Sequence, residues 1–141
     1  MIRLASAAAA LLLTAAPALA QSGDNSVVLT FETGARTGAV MVALFDSAAA
    51  FDSNDGRPVA AVTVAASGAV VATFENLPAG DYAVKAFHDV DGDGEMDTNP
   101  FGMPTEPYAF SNNAVGNMGP ATWERARFTV SGAAAQTIVL R

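Results

Sequence analysis

Residues 58–87 read PVAAVTVAASGAVVATFENLPAGDYAVKAF. Two β-rich runs, Pro58 to Ala66 and Ala69 to Glu75, flank Ser67-Gly68, the spacing of a two-residue hairpin. Pro58 suits the start of an edge strand, where its nitrogen owes no ladder hydrogen bond. Leu77-Pro78-Ala79-Gly80 is a tight turn, with proline preset for the second position and glycine for the fourth. From Asp81 to Phe87, Tyr82, Val84 and Ala86 alternate with Ala83, Lys85 and Phe87, the period of two that marks a strand.

The same period extends in both directions. Upstream, Val27, Leu29 and Phe31 alternate with Val28, Thr30 and Glu32 over Ser26 to Glu32, as a half-buried strand should. Gly34 and Gly38 bracket a turn, and Gly38 to Phe45 is apolar on both faces, which predicts a central strand. Asp46 or Ser47 caps one helical turn through Ala48, Ala49, Ala50 and Phe51, and Asp52-Ser53-Asn54-Asp55-Gly56 is a loop of turn formers. Downstream, His88 to Thr122 has no sustained period and holds four of the seven prolines. Its apolar anchors, Phe101, Met103, Tyr108, Phe110 and Met118, predict a packed cap rather than a disordered segment. Trp123 to Val130 then returns as a strand, with Ala126, Phe128 and Val130 inward and Arg125 and Arg127 outward, and Ala134 to Leu140 closes the domain. Seven short strands with almost no helix period predict an all-β, seven-stranded Greek-key β-sandwich, transthyretin-like or immunoglobulin-like, with one long irregular loop over residues 88–122.

The first twenty residues have the pattern of a signal peptide. Arg3 supplies the positive start, Leu4 to Leu13 the apolar run, and Ala18-Leu19-Ala20 the small-x-small cleavage site. The single domain then runs from Gln21 to Arg141, in the periplasm or secreted, and the apolar run is shorter than the roughly 20 residues of a membrane span. The chain has no Cys, so neither a lipid anchor at a lipobox nor a disulfide framework is available. Without Arg3 the balance is six basic against fourteen acidic side chains, a formal charge of -8. That argues against nucleic acid and anionic membrane as partners, since both need basic patches.

Five of the acids fall in one loop. Asp89, Asp91 and Asp93, followed by Gly94, reproduce the D-x-D-x-D-G start of an EF-hand calcium loop, in which alternate oxygens converge on one cation. With Asp89 as the first position, Glu95 offers its backbone carbonyl and Asp97 a direct or water-bridged oxygen. At the twelfth position, where the EF-hand has a bidentate Glu, stands Pro100, so the loop must close in another way. Calcium fits better than magnesium because the oxygens are many and the loop flexible, and better than zinc because there is no Cys and a single His. The same D-x-D-x-D-G order is similar to thrombospondin type 3 and dockerin loops, but one copy favours a local clasp.

These residues carry a resemblance. Leu77-Pro78-x-Gly80-x-Tyr82-Ala83-Val84, His88-Asp89 with the loop to Asp97-x-Asn99, Phe101-Gly102-x-Pro104-x-Glu106-Pro107-Tyr108 and Phe110-Ser111-Asn112-Asn113 make the chain similar to an exported bacterial family, domain of unknown function 2141. The resemblance covers nearly the whole chain after the signal peptide. In that family the loop is richer in Asn, and Asp91 and Asp93 here should strengthen cation binding; Trp123 stands where Phe is more usual. The resemblance implies an exported β-sandwich in the company of transthyretin-like and carboxypeptidase-regulatory-like domains, and no known activity.

Three functions compete on this sequence. In the first, a non-enzymatic envelope module binds calcium through Asp89, Asp91, Asp93, Glu95 and Asp97, and Phe101, Tyr108, Phe110, Asn112, Asn113 and Trp123 form a ligand surface for a cell-envelope glycan or peptide. The same aromatics equally serve to pack the loop onto the sandwich. In the second, a hydrolase uses His88 or Glu106, although no Gly-x-Ser-x-Gly elbow, Cys nucleophile or second His accompanies them. In the third, the chain is a structural subunit and calcium serves stability alone.

Overall fold

The computed structural model describes residues 24–141; the signal peptide and the expected start at Gln21 lie outside the described residues. Eight strands form two sheets: β1 (Asn25–Glu32), β2 (Ala39–Phe45), β3 (Ala60–Ala65), β4 (Val70–Leu77), β5 (Gly80–Asp89), β6 (Tyr108–Phe110), β7 (Phe128–Val130) and β8 (Ala133–Val139). The first sheet has the order β4-β1-β8, with β1 antiparallel to β4 and parallel to β8. The second has the order β3-β2-β5-β6, and β7 pairs with the start of β5, on Gly80 to Tyr82.

The two sheets bury one shared core. Val27, Leu29 and Phe31 of β1, with Ala72 and Phe74 of β4, meet Val40, Val42 and Leu44 of β2 and Tyr82, Val84 and Ala86 of β5. Val27, Leu29 and Phe31, and likewise Tyr82, Val84 and Ala86, are the sets that alternation groups on one face, because a strand can bury only every second residue on one side; for β2 and β4 the sequence leaves the inward face open. Tyr82 brings a hydroxyl into this core, and it donates to the Pro78 carbonyl at 2.7 Å, which satisfies the polar tip and pins the corner at which the chain changes sheets. Burial raises the Tyr82 pKa, aided by the charge of Asp46.

A second core covers part of the opposite face of the second sheet. Ser47 caps the helical turn α1 (Ala48–Phe51), its hydroxyl accepting from the Ala50 N–H at 3.4 Å, as the sequence predicts. The turn delivers Phe51 into an edge-to-face cluster with Phe45, Phe110 and Trp123, at centroid distances of 5.5, 6.1 and 6.0 Å. Ala83 closes this cluster, so β5 is buried on both sides there.

Three expectations need correction. Pro58–Ala66 and Ala69–Glu75 do not form a hairpin: β3 pairs with β2, β4 pairs with β1, and Ser67-Gly68 carries the chain from one sheet to the other. Alternation fixes which residues point inward but not which strand lies alongside, and both apolar faces are buried equally well across the core. Trp123 to Val130 is not one strand. Trp123–Ala126 is a helical turn, α2, closed by Arg127 N–H on the Trp123 carbonyl at 2.8 Å, and only Phe128–Val130 pairs in the sheet. Ala126 and Val130 are still buried and Arg125 and Arg127 still exposed, because one turn and an alternating strand place the same residues inward. Finally, residues 88–122 contain an eighth strand, Tyr108–Phe110, on the free edge of β5.

Candidate metal centre

β5 ends in the site. Asp89 still pairs with Ala39 and His88 with Val40, so both are fixed by the ladder and both are buried, His88 at 0% exposure. The His88 ring lies 2.7 Å through Nε2 from the Thr37 carbonyl. A carbonyl can only accept, so Nε2 is the donor in this bond. Nδ1 is buried and has no hydrogen-bond partner among the described residues.

Asp89 organises the turn that follows. Its Oδ1 accepts from the N–H groups of Gly92 at 2.8 Å and Asp93 at 3.2 Å, and its Oδ2 from that of Gly94 at 2.9 Å. Gly92 and Gly94 have φ of 80° and 84°, left-handed values that glycine adopts without strain. Burial opposes the Asp89 charge, but the N–H groups of Gly94, Gly92 and Asp93, with a contact from Asp91, outweigh it and hold the carboxyl below its ordinary pKa. The pattern continues outward: Asp91 accepts from Asp93 N–H and Asp93 from Glu95 N–H.

Glu106 closes the loop from the far side. Its Oε1 accepts from Val90 N–H at 2.8 Å and its Oε2 from Asp97 N–H at 3.3 Å, so one carboxylate ties both limbs together. Between them Asn99 knots the tip, its Oδ1 accepting from Phe101 and Met103, and Thr98 bridges to Pro104. Replacing Glu106 by alanine should cost about 2 kcal/mol of stability in urea denaturation, and by glutamine about 1, because the amide oxygen can still accept one bond. Equal losses for the two variants would show that the carboxylate does not act by joining the limbs.

Two overlapping groups of carboxylates can hold a metal ion: Asp89, Asp91 and Glu106, and Asp91, Asp93 and Asp97, each with oxygens within 4.8 Å of one another. No basic side chain among the described residues answers them; Arg127 is engaged by Asp81 at 2.9 Å and Glu124 at 3.1 Å. The crowding is electrostatic. Asp91 is the first cause that raises the Asp97 pKa, followed by burial, Asp93, Glu106 and Asp89. At Asp91 the Asp93 N–H favours the charge, but burial, the charges of Asp93 and Glu106 and a side-chain hydrogen bond with Asp89 together raise its pKa. A cation shared by the two groups would remove this repulsion, and an all-oxygen donor set suits a hard ion.

Of the five loop acids the sequence singles out, four supply carboxylates to these groups. The Glu95 side chain is exposed and outside them, which leaves it the backbone role assigned above. Glu106 is the candidate ligand that the spacing of the loop could not reveal, although the proline at the twelfth position signals that the loop must close in another way. In the aromatic set, Phe101 is 90% exposed and Tyr108 exposed, whereas Phe110 and Trp123 are buried in the second core. Asn112 and Asn113 act as stitches. The Asn112 amide donates to the carbonyls of Arg125 and Arg127, and Asn113 bonds the carbonyl of Thr137 and the N–H of Val139. Both adopt left-handed φ, 60° and 49°, which asparagine tolerates better than other side chains.

Fold and site together define a two-sheet β protein whose fifth strand runs into an acidic, glycine-bent loop closed by a distant glutamate. The chain belongs to the family described as "Uncharacterized protein conserved in bacteria (DUF2141)", whose model matches residues 32–138. No curated protein and no solved structure matches it.

Proposed function

We propose that the chain is an exported, non-enzymatic binding or accessory module of the bacterial cell envelope, whose acidic loop takes calcium. The observation that carries this reading is Glu106, which joins Asp89 and Asp91 in one oxygen cluster and bonds both limbs of the loop. Two like charges at 4 Å repel by about 1 kcal/mol even in bulk water, so convergence of several carboxylates is best explained by a divalent cation. Calcium suits the number of oxygens and the irregular loop better than magnesium, which demands near-octahedral geometry. Export is supported by the leader pattern of residues 1–20. The fold is read as a Greek-key sandwich of the transthyretin-like or immunoglobulin-like kind, a reading supported by the Tyr82 hydroxyl bonded back to Pro78, which is similar to the tyrosine corner of such domains. The hydrolase reading loses support because His88 has no exposure through which to meet a substrate.

The test is thermal unfolding with EDTA and with calcium, beside an Asp91→Ala, Asp93→Ala double variant. At tenfold excess over a Kd of about 10⁻⁴ to 10⁻³ M, calcium should add about 1.4 kcal/mol and raise the melting temperature by about 5 °C. The variant should show no rise. A wild-type chain indifferent to calcium, with no heat in calorimetry, would return the loop to a solvated turn.

A further inference from the structure

Past the aromatic cluster, the outer face of the second sheet is roofed by the long excursion and leaves a groove of about 1050 Å³, the upper end of the usual range for a small-molecule site, about 300–1,000 Å³. All four methionines after Met1 line it: Met41 from β2, and Met96, Met103 and Met118 from the excursion. Thioether side chains are flexible and polarizable, and they suit an apolar ligand of no fixed shape. Met103 and Met118 are largely exposed, apolar surface of the kind that marks a binding site.

One charge faces this lining. Lys85, the only lysine of the chain, is half-buried at the junction of groove and aromatic cluster, its Nζ 4.8 Å from the Phe51 centroid and 5.1 Å from that of Phe45. It forms no ion pair among the described residues; burial lowers its pKa, opposed from a distance by Asp52, whose Oδ1 is occupied by the Trp123 N–H. The rings supply a weak substitute for water, and an ammonium in apolar surroundings is best completed by an anion. Other hydrogen-bonding side chains in the lining are few, namely Asn54, Thr63 and Tyr108, and the backbones of β2 and β5 are spent in their ladder. A peptide or glycan would therefore bury many unpaired amides or hydroxyls.

We infer that the groove binds a long-chain carboxylate, with its alkyl tail along the methionines and its head on Lys85 Nζ. The inference deepens the binding-module reading and does not depend on calcium.

The probe is dodecanoate at micromolar concentration, titrated calorimetrically into the chain in EDTA and again in calcium. One dodecanoate per chain is expected, and dodecyltrimethylammonium, with the same tail and opposite charge, should bind at least about tenfold more weakly. Lys85→Met should lose about the same factor for dodecanoate and leave dodecanol unaffected. Should that variant fold poorly, two further measurements replace it. Met103→Glu, at the exposed rim, should weaken dodecanoate severalfold while Met103→Leu does not, and dodecanoate should slow acetylation of the lone Lys85 amine. Equal affinity for the two amphiphiles, or dodecanoate binding unchanged by Lys85→Met, overturns the inference. So does a chain that ignores dodecanoate but sediments, through Lys85, with vesicles of three parts phosphatidylcholine to one part phosphatidylglycerol, which would assign the groove to a membrane lipid. Calcium stabilisation without dodecanoate binding sinks only this inference; dodecanoate binding without a calcium response sinks only the metal reading.

Discussion

Alanine at Gly38 is expected to cost about 2–5 kcal/mol of folding stability, the sum of a left-handed backbone penalty and an overpacking penalty. Gly38 has φ of 68°, and a Cβ built on it would fall far inside van der Waals contact with the Asp89 carbonyl oxygen, with the Val90 carbonyl oxygen at 2.9 Å. Those atoms are backbone and cannot rotate away. The start of β2 would have to leave the end of β5, which breaks the pairing of Ala39 with Asp89 and of Val40 with His88. Because Asp89 bonds the N–H groups of Gly92, Asp93 and Gly94, the acidic loop would loosen with it. Urea denaturation gives the stability, and amide exchange at those three residues should accelerate more than in the first sheet. Gly34→Ala is the control, since nothing lies within 4 Å of its Cβ position and its φ is not left-handed; its effect should stay within about 0.5 kcal/mol. Similar losses at the two glycines would refute the close approach.

Ser111→Ala should cost about 2–6 kcal/mol, because it orphans two buried groups at about 1–3 kcal/mol each. The Ser111 hydroxyl is wholly buried; it accepts from the Val84 N–H at 2.8 Å and donates to the Ala126 carbonyl at 2.6 Å. Val84 and Ala126 are themselves fully buried, so no water can take over either bond. One small side chain thus joins the middle of β5 to α2, and so holds Trp123 over Phe51. Ser111→Thr retains the hydroxyl and should recover most of the loss, whereas a loss equal to that of alanine would point to packing rather than hydrogen bonding.

Ser111 also marks where sequence reading stops. Its neighbours Asn112 and Asn113 look like ligand-binding amides beside aromatics, yet their side chains bond carbonyls and N–H groups of segments up to 26 residues away. Local pattern cannot register such bonds, since their partners lie far along the chain and meet these amides only in the folded molecule. Glu106 is the same case with the opposite outcome. The sequence singles it out only as a candidate hydrolase residue, and it joins the candidate metal cluster because the excursion folds back on Asp97 and Val90. Aromatics show the problem in apolar form: Phe101 and Phe110 are chemically identical, but one lies in solvent and the other in a core.

By itself, the sequence determined the alternating faces of β1 and β5, a helical turn capped at Asp46 or Ser47, the acidic loop and its glycines, and the membership of the family. Each of these depends on neighbours within a few residues, where period two, capping chemistry and carboxylate spacing act directly. The tertiary structure alone decided that β3 and β4 belong to different sheets, that the acidic loop closes through Glu106, and that four methionines share a groove with the single lysine. Those features join residues far apart in the chain, and they are fixed by which apolar faces bury each other and which buried polar groups find partners, a solution reached only by the whole fold.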